Sequence, residues 1–181
     1  MAGGAFVVGE GAGAIAGHVD GTGPDLLGAA ALGAALVARL TPDAARRFGE
    51  LAQREAGPDE ADATALAGLS LLWHSYFADP AAAPPPPPGL RVSAACNEET
   101  HRSLTRDMPD GAFAQRLRDL TTPVTVLVGA HSPMPRSAAD SLMAHLAHGR
   151  MVVVEGGGHL PWFEEPGCVA RALAAARAQP A

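Results

Sequence analysis

A histidine behind three glycines, Glu155-Gly-Gly-Gly-His159, directly follows the apolar run Met151 to Val154. A short β-branched run bounded by glycines reads as a buried strand. The glycines let the backbone turn sharply and deliver His159 to the strand's carboxyl end, where open α/β sheets bind ligands. An imidazole there has an ordinary pKa of about 6.5, so it can accept and return a proton near neutrality. His159 is therefore the candidate general base, and the glycines would leave room for close approach of a substrate. The plainer alternative is a histidine that caps the strand turn. A second strand-then-loop lies upstream, where Val124 to Val128 runs into Gly129-Ala-His-Ser132-Pro133.

Other residues offer thinner chemistry. His145 and His148 are three apart on one expected helix, a spacing compatible with a metal pair, but a solvated helix end explains them without a third ligand. Cys96 falls in a helical stretch with no base to activate its thiol. His18 with Asp20, and His101 near Glu98 and Glu99, are pairs of the sort any polar surface carries. Gly9-Glu-Gly-Ala-Gly13 has the glycine content of a phosphate loop but lacks the Lys-Ser/Thr of a P-loop and the full dinucleotide fingerprint. No cofactor and no metal site is expected.

The 181-residue chain is long enough for one domain with a real core. Its net charge of −6 argues against nucleic acid, whose binders carry a clustered basic surface. All thirteen basic residues are arginine, which, with the abundance of alanine, glycine and proline, fits a GC-rich genome. Cys96 and Cys168 are far apart and have no metal-ligand spacing, so a reduced, cytoplasmic setting is expected. The first residues lack a basic n-region and are interrupted by Glu10, so no signal peptide is read there. The apolar stretch 26–40 is too short to cross a bilayer and reads as a buried helix.

These elements must position the chemistry. Residues 5–8 form a short strand candidate before the glycine-rich segment. A helical pattern runs from Asp25 to about Arg54, broken and restarted at Thr41-Pro42-Asp43, and another helix covers residues 61–76. The five prolines 84–88 force an extended polyproline conformation. They suit a stiff connector, with a ligand for a proline-binding module as the other reading. Short helices follow at 93–104 and 111–120. Then the pattern becomes strand 124–128, helix 138–147, strand 151–154 and helix 168–178. That βαβα alternation implies parallel strands.

The chain resembles an α/β-hydrolase of the proline-iminopeptidase-like type. Residues 126–166, with Gly156-Gly-Gly-His159-Leu-Pro-Trp162-Phe-Glu-Glu-Pro166, are similar to the family's acid strand, final strand and histidine loop. The segment His74-Ser-Tyr-Phe-Ala-Asp-Pro80 resembles its lid. The resemblance implies a partial α/β-hydrolase fold: an elbow remnant at 1–20, a helical lid at 21–120 and the closing βαβα segment at 121–181. The family's first four strands and its oxyanion-hole loop have no counterpart.

The resemblance also implies a triad in the chain order nucleophile, acid, histidine. His159 matches the base. The acid position, which reads like Gly-x-x-Asp-Pro in the family, is here Gly129-Ala-His-Ser132-Pro133. Serine accepts a hydrogen bond but has no charge to stabilise an imidazolium, and losing that charge in a related triad costs about 10⁴ in turnover. Ser132 is not placed as a nucleophile, because Pro133 lacks the N–H an oxyanion hole would take from the next residue. Asp20 could stand one strand earlier as a substitute acid, or simply be a turn residue and cap. Val7-Val8-Gly9-Glu10-Gly11-Ala12-Gly13 resembles the Gly-x-Ser-x-Gly elbow with Gly11 where serine should be; an unrelated glycine turn is the alternative. No Gly-x-Ser-x-Gly occurs in the chain.

The expected function is thus that of a serine hydrolase or aminopeptidase-like enzyme by lineage, truncated or degenerate and with little activity alone. A second possibility is a non-catalytic protein holding a small apolar or peptide-like ligand or a partner. A third is a working hydrolase whose other half is encoded upstream. No membrane partner is expected, and loss of the early strands would leave a sheet edge open to self-association.

Overall fold

The computed structural model describes residues 6–9, 14–17, 27–107 and 111–177. Among them the chain is mixed α/β. Two short strands, β1 (Phe6–Gly9) and β2 (Ala14–Gly17), precede five helices: α1 (Leu27–Ala38), α2 (Pro42–Gln53), α3 (Pro58–Leu72), α4 (Ala94–Asp107) and α5 (Ala112–Arg118). The alternating end of the chain comprises β3 (Val124–Gly129), α6 (Arg136–Met143), β4 (Gly149–Val154), α7 (Pro161–Glu164) and α8 (Cys168–Arg177).

Local chemistry accounts for the helix boundaries. The Thr41 hydroxyl accepts from the Ala44 N–H at 3.3 Å, Pro42 fills the first turn where its missing N–H costs nothing, and Asp43 complements the positive helix end. α3 likewise starts with Pro58 and places Asp59 and Glu60 at its positive end, but its N-cap, Gly57, offers no side-chain acceptor. The helix expected over 61–76 is α-helical only to Leu72, then tightens into a 3₁₀ turn, Trp73–Tyr76, before Phe77 becomes extended. Proline at 80 forbids continuation.

The buried centre is helical. Leu36, Leu69, Trp73, Tyr76 and Phe77 form one cluster, with Leu32, Leu72, Leu90 and Leu160 packed against it. Phe77 is 0% exposed, and burying such a side chain stabilises by roughly 1.5–3 kcal/mol. Trp73 meets Phe77 and Phe163 edge-on, at 5.3 and 5.6 Å between ring centroids. Its Nε1–H donates to the Pro84 carbonyl at 2.6 Å, which pins the start of the proline run to the core.

β3 and β4 pair in parallel, from Val124 opposite Gly149 to Gly129 opposite Val154. Parallel strands are usually covered on both faces. Here all six β3 residues are half-buried, and in β4 only Val154 is buried. Among the described residues these two strands make a sheet of their own.

The amino-terminal segment departs from expectation. A nucleophile elbow needs a strand followed by a helix, but β1 is followed by β2, which pairs with it antiparallel from Phe6 opposite Gly17 to Gly9 opposite Ala14. Two short apolar runs around a glycine-rich connection satisfy each other's backbone as a hairpin. Gly11, His18, Asp20 and Asp25 lie outside the described residues. Among the described residues no helix is long and apolar enough to cross a membrane.

Candidate functional site

The parallel pair delivers two loops side by side, and backbone bonds zip them together. Ala130 N–H donates to Val154 O at 2.9 Å and His131 N–H to Gly157 O at 3.0 Å, while Gly157 N–H closes a turn within its own loop on Val154 O at 3.0 Å. The approach is so close that a Cβ on Gly129 would overlap the carbonyl oxygens of Gly157 and Gly158. A Cβ on Gly157 would come within 2.6 Å of Pro161 Cβ. One on Gly158 would lie 2.5 Å from Tyr76 O and 2.6 Å from Ala78 N. The space these glycines leave is filled by protein atoms, and not kept open for a substrate.

That packing fixes His159. Its N–H donates to Tyr76 O at 2.7 Å, and its ring sits 5.6 Å from the Tyr76 ring at a 31° tilt. Ser132 Oγ lies 3.1 Å from His159 Nδ1 and also accepts the Met134 N–H at 3.1 Å. Burial away from water disfavours the imidazolium and pushes the His159 pKa down to about 4. The ring is therefore neutral near pH 7.

A serine opposite Nδ1 differs from a carboxylate in more than charge. A carboxylate only accepts, so it forces the proton onto Nδ1 and leaves Nε2 free to act as a base. A hydroxyl can donate or accept, so both tautomers of His159 find a partner in Ser132. The base tautomer is not enforced.

Beside the pair lies a cavity of about 230 Å³ lined by Val126, Pro133, Met134, Ala139, Leu142 and His159. It is chiefly apolar, with the imidazole among its few polar groups. It is smaller than ordinary ligand pockets of roughly 300–1,000 Å³ and suits only a small molecule or part of one.

Two further residues hold the site and were not singled out from sequence. Arg39, at the end of α1, donates to Ser75 O and Phe77 O at 3.0 Å each and to His131 O at 3.3 Å. Glu164 accepts from Ala78 N–H at 2.7 Å and Gly158 N–H at 2.5 Å. A signal existed for each. Arg39 interrupts the apolar stretch Leu36-Val37-Ala38-Arg39-Leu40, and Glu164 lies five residues after the histidine in its own loop.

The remaining candidates stand apart from this site. The His145 ring Nδ1 is 2.8 Å from the Ser141 carbonyl of its own turn, and the His148 carbonyl accepts from Val124 N–H at 3.0 Å. Among the described residues no three His, Cys, Asp or Glu side chains group as a metal site. Cys96 is exposed on α4, whereas Cys168 is buried on α8. His101 is exposed on α4, where Arg102 pairs with Glu98 and Glu99. No protein-family model and no curated protein matches the chain.

Proposed function

We propose that this chain carries an α/β-hydrolase-type site, proline-iminopeptidase-like in lineage, that performs no acyl transfer by itself. The observation that carries the reading is Ser132 Oγ at His159 Nδ1, 3.1 Å away. In a triad that ring nitrogen belongs to the orienting acid, so Ser132 stands on the acid side of the ring and not on the nucleophile side. A neutral hydroxyl gives the imidazolium no charge to pair with, and a base with a pKa of about 4 takes a proton poorly near neutrality. The region 21–120 then corresponds to the family's lid.

A fluorophosphonate probe tests this directly. The purified chain should remain unlabelled and should not hydrolyse small esters or aminoacyl amides. Labelling that tracks hydrolysis would end the proposal.

The cavity favours a second reading, a non-catalytic binding protein. A small apolar or peptide-like molecule would place its hydrophobic part against Met134 and Leu142 and one polar atom at His159. Such a protein should unfold cooperatively, and a bound ligand should raise its Tm with concentration. Non-cooperative unfolding with no such response would rule this reading out.

A further inference from the structure

The His159 ring lies between the Ser132 hydroxyl and the Tyr76 ring, and it is held in a defined place. The restraint comes from the backbone on either side of it. His159 N–H is bound to Tyr76 O at 2.7 Å, and the preceding Gly158 N–H is bound to a Glu164 oxygen at 2.5 Å. The other Glu164 oxygen takes Ala78 N–H at 2.7 Å. We propose that Glu164 is the positioning residue of this site, its carboxylate bridging the histidine loop to the segment Tyr76–Ala78 and so holding the His159 ring against Ser132.

The surroundings of Glu164 support that role. It ends α7, whose first residue, Pro161, is buried and would meet any side chain added at Gly157. The neighbouring Phe163 ring packs edge-on against Trp73 and Phe77 at 5.6 and 6.0 Å. The carboxylate is thus carried by an element anchored on both sides. A carboxylate also suits the task chemically, since both of its partners are N–H donors and it offers only acceptors. Arg39 completes the frame from the opposite side by binding Ser75 O, Phe77 O and His131 O, which fixes the same segment relative to the loop bearing Ser132.

The inference rests on His159 being the imidazole of the site, and its readout is separate from probe labelling. Glu164→Gln keeps the shape but turns an amide NH₂ toward one N–H donor, opening one end of the bridge. The His159 pKa is depressed by burial, so loss of the Glu164 charge alone leaves it depressed. Loosening the loop instead hydrates the ring and raises it. The titration midpoint, followed by NMR of the imidazole, should therefore rise from about 4 toward 6.5 in E164Q, by roughly one unit or more. E165Q, one position on, should leave it in place. An unchanged or lowered midpoint in E164Q overturns the proposal, as does a fall in Tm with no change in midpoint.

Amide exchange in the unmodified chain gives a second test that needs no variant. The Ala78 and Gly158 N–H groups should be protected together with that of His159. Exchange of either at the rate of a free amide would show that the bridge does not hold, and would equally overturn the proposal.

Discussion

Ser132 Oγ stands 3.1 Å from His159 Nδ1 although the two residues are 27 positions apart. Parallel pairing of β3 with β4 places their loops in contact, and the hydroxyl meets the ring nitrogen that an orienting acid would take. His159 is buried, so this hydroxyl is its nearest means of satisfying Nδ1 without charge. The pair forms a neutral hydrogen bond, and it is burial, not the hydroxyl, that disfavours the imidazolium.

Stability should fall with acid in a defined window. The His159 pKa is depressed from 6.5 to about 4, so the unfolded chain binds more protons between those values. Stability from this group is full above the unfolded value of 6.5, declines as the pH falls, and is lost below about 4. The contribution is on the order of 3 kcal/mol. Urea unfolding at several pH values, with His159→Gln beside the unmodified chain, should show the slope in the histidine form and a flatter profile in the variant.

A carboxylate placed at position 132 should oppose the effect of burial on His159. In Ser132→Asp the anion faces Nδ1, and an adjacent opposite charge raises a histidine pKa by roughly 1–3 units. Imidazole NMR should place the midpoint well above 4. Labelling by a fluorophosphonate should stay absent, because the substitution supplies an acid and not a nucleophile. A midpoint that does not move would show that Ser132 is not beside the ring in solution.

Gly158 of the histidine loop should be intolerant of any side chain. In Gly158→Ala the new Cβ would press on Tyr76 O and Ala78 N, and backbone atoms cannot swing aside. A loss of about 1–3 kcal/mol is expected, as for other overpacked sites. Gly68 is the contrast, since its added Cβ would meet only Phe48 Cε2 at an ordinary 3.6 Å. Gly68→Ala within α3 should stabilise by about 0.5–1 kcal/mol. The urea midpoints of the two variants should therefore move in opposite directions.

The sequence by itself determined the elements that local patterns encode. The β-branched runs became β3 and β4, the Thr41-Pro42 and Gly57-Pro58 pairs set helix starts, and the glycine run put His159 just beyond a strand end. Each follows from a few neighbouring residues, through periodicity, capping or turn chemistry. The antiparallel pairing of β1 with β2 was not legible, because which strand a short apolar run pairs with is not encoded in the run itself. Tertiary structure alone decided what surrounds His159. Arg39 reaches His131 across 92 positions, and Glu164 reaches Ala78 across 86. No spacing rule links residues so far apart, because their meeting depends on how the helical core seats Tyr76 and Phe77 against the loop. The depressed pKa has the same origin: burial is a property of the packed molecule, and the sequence contributes only the imidazole on which it acts.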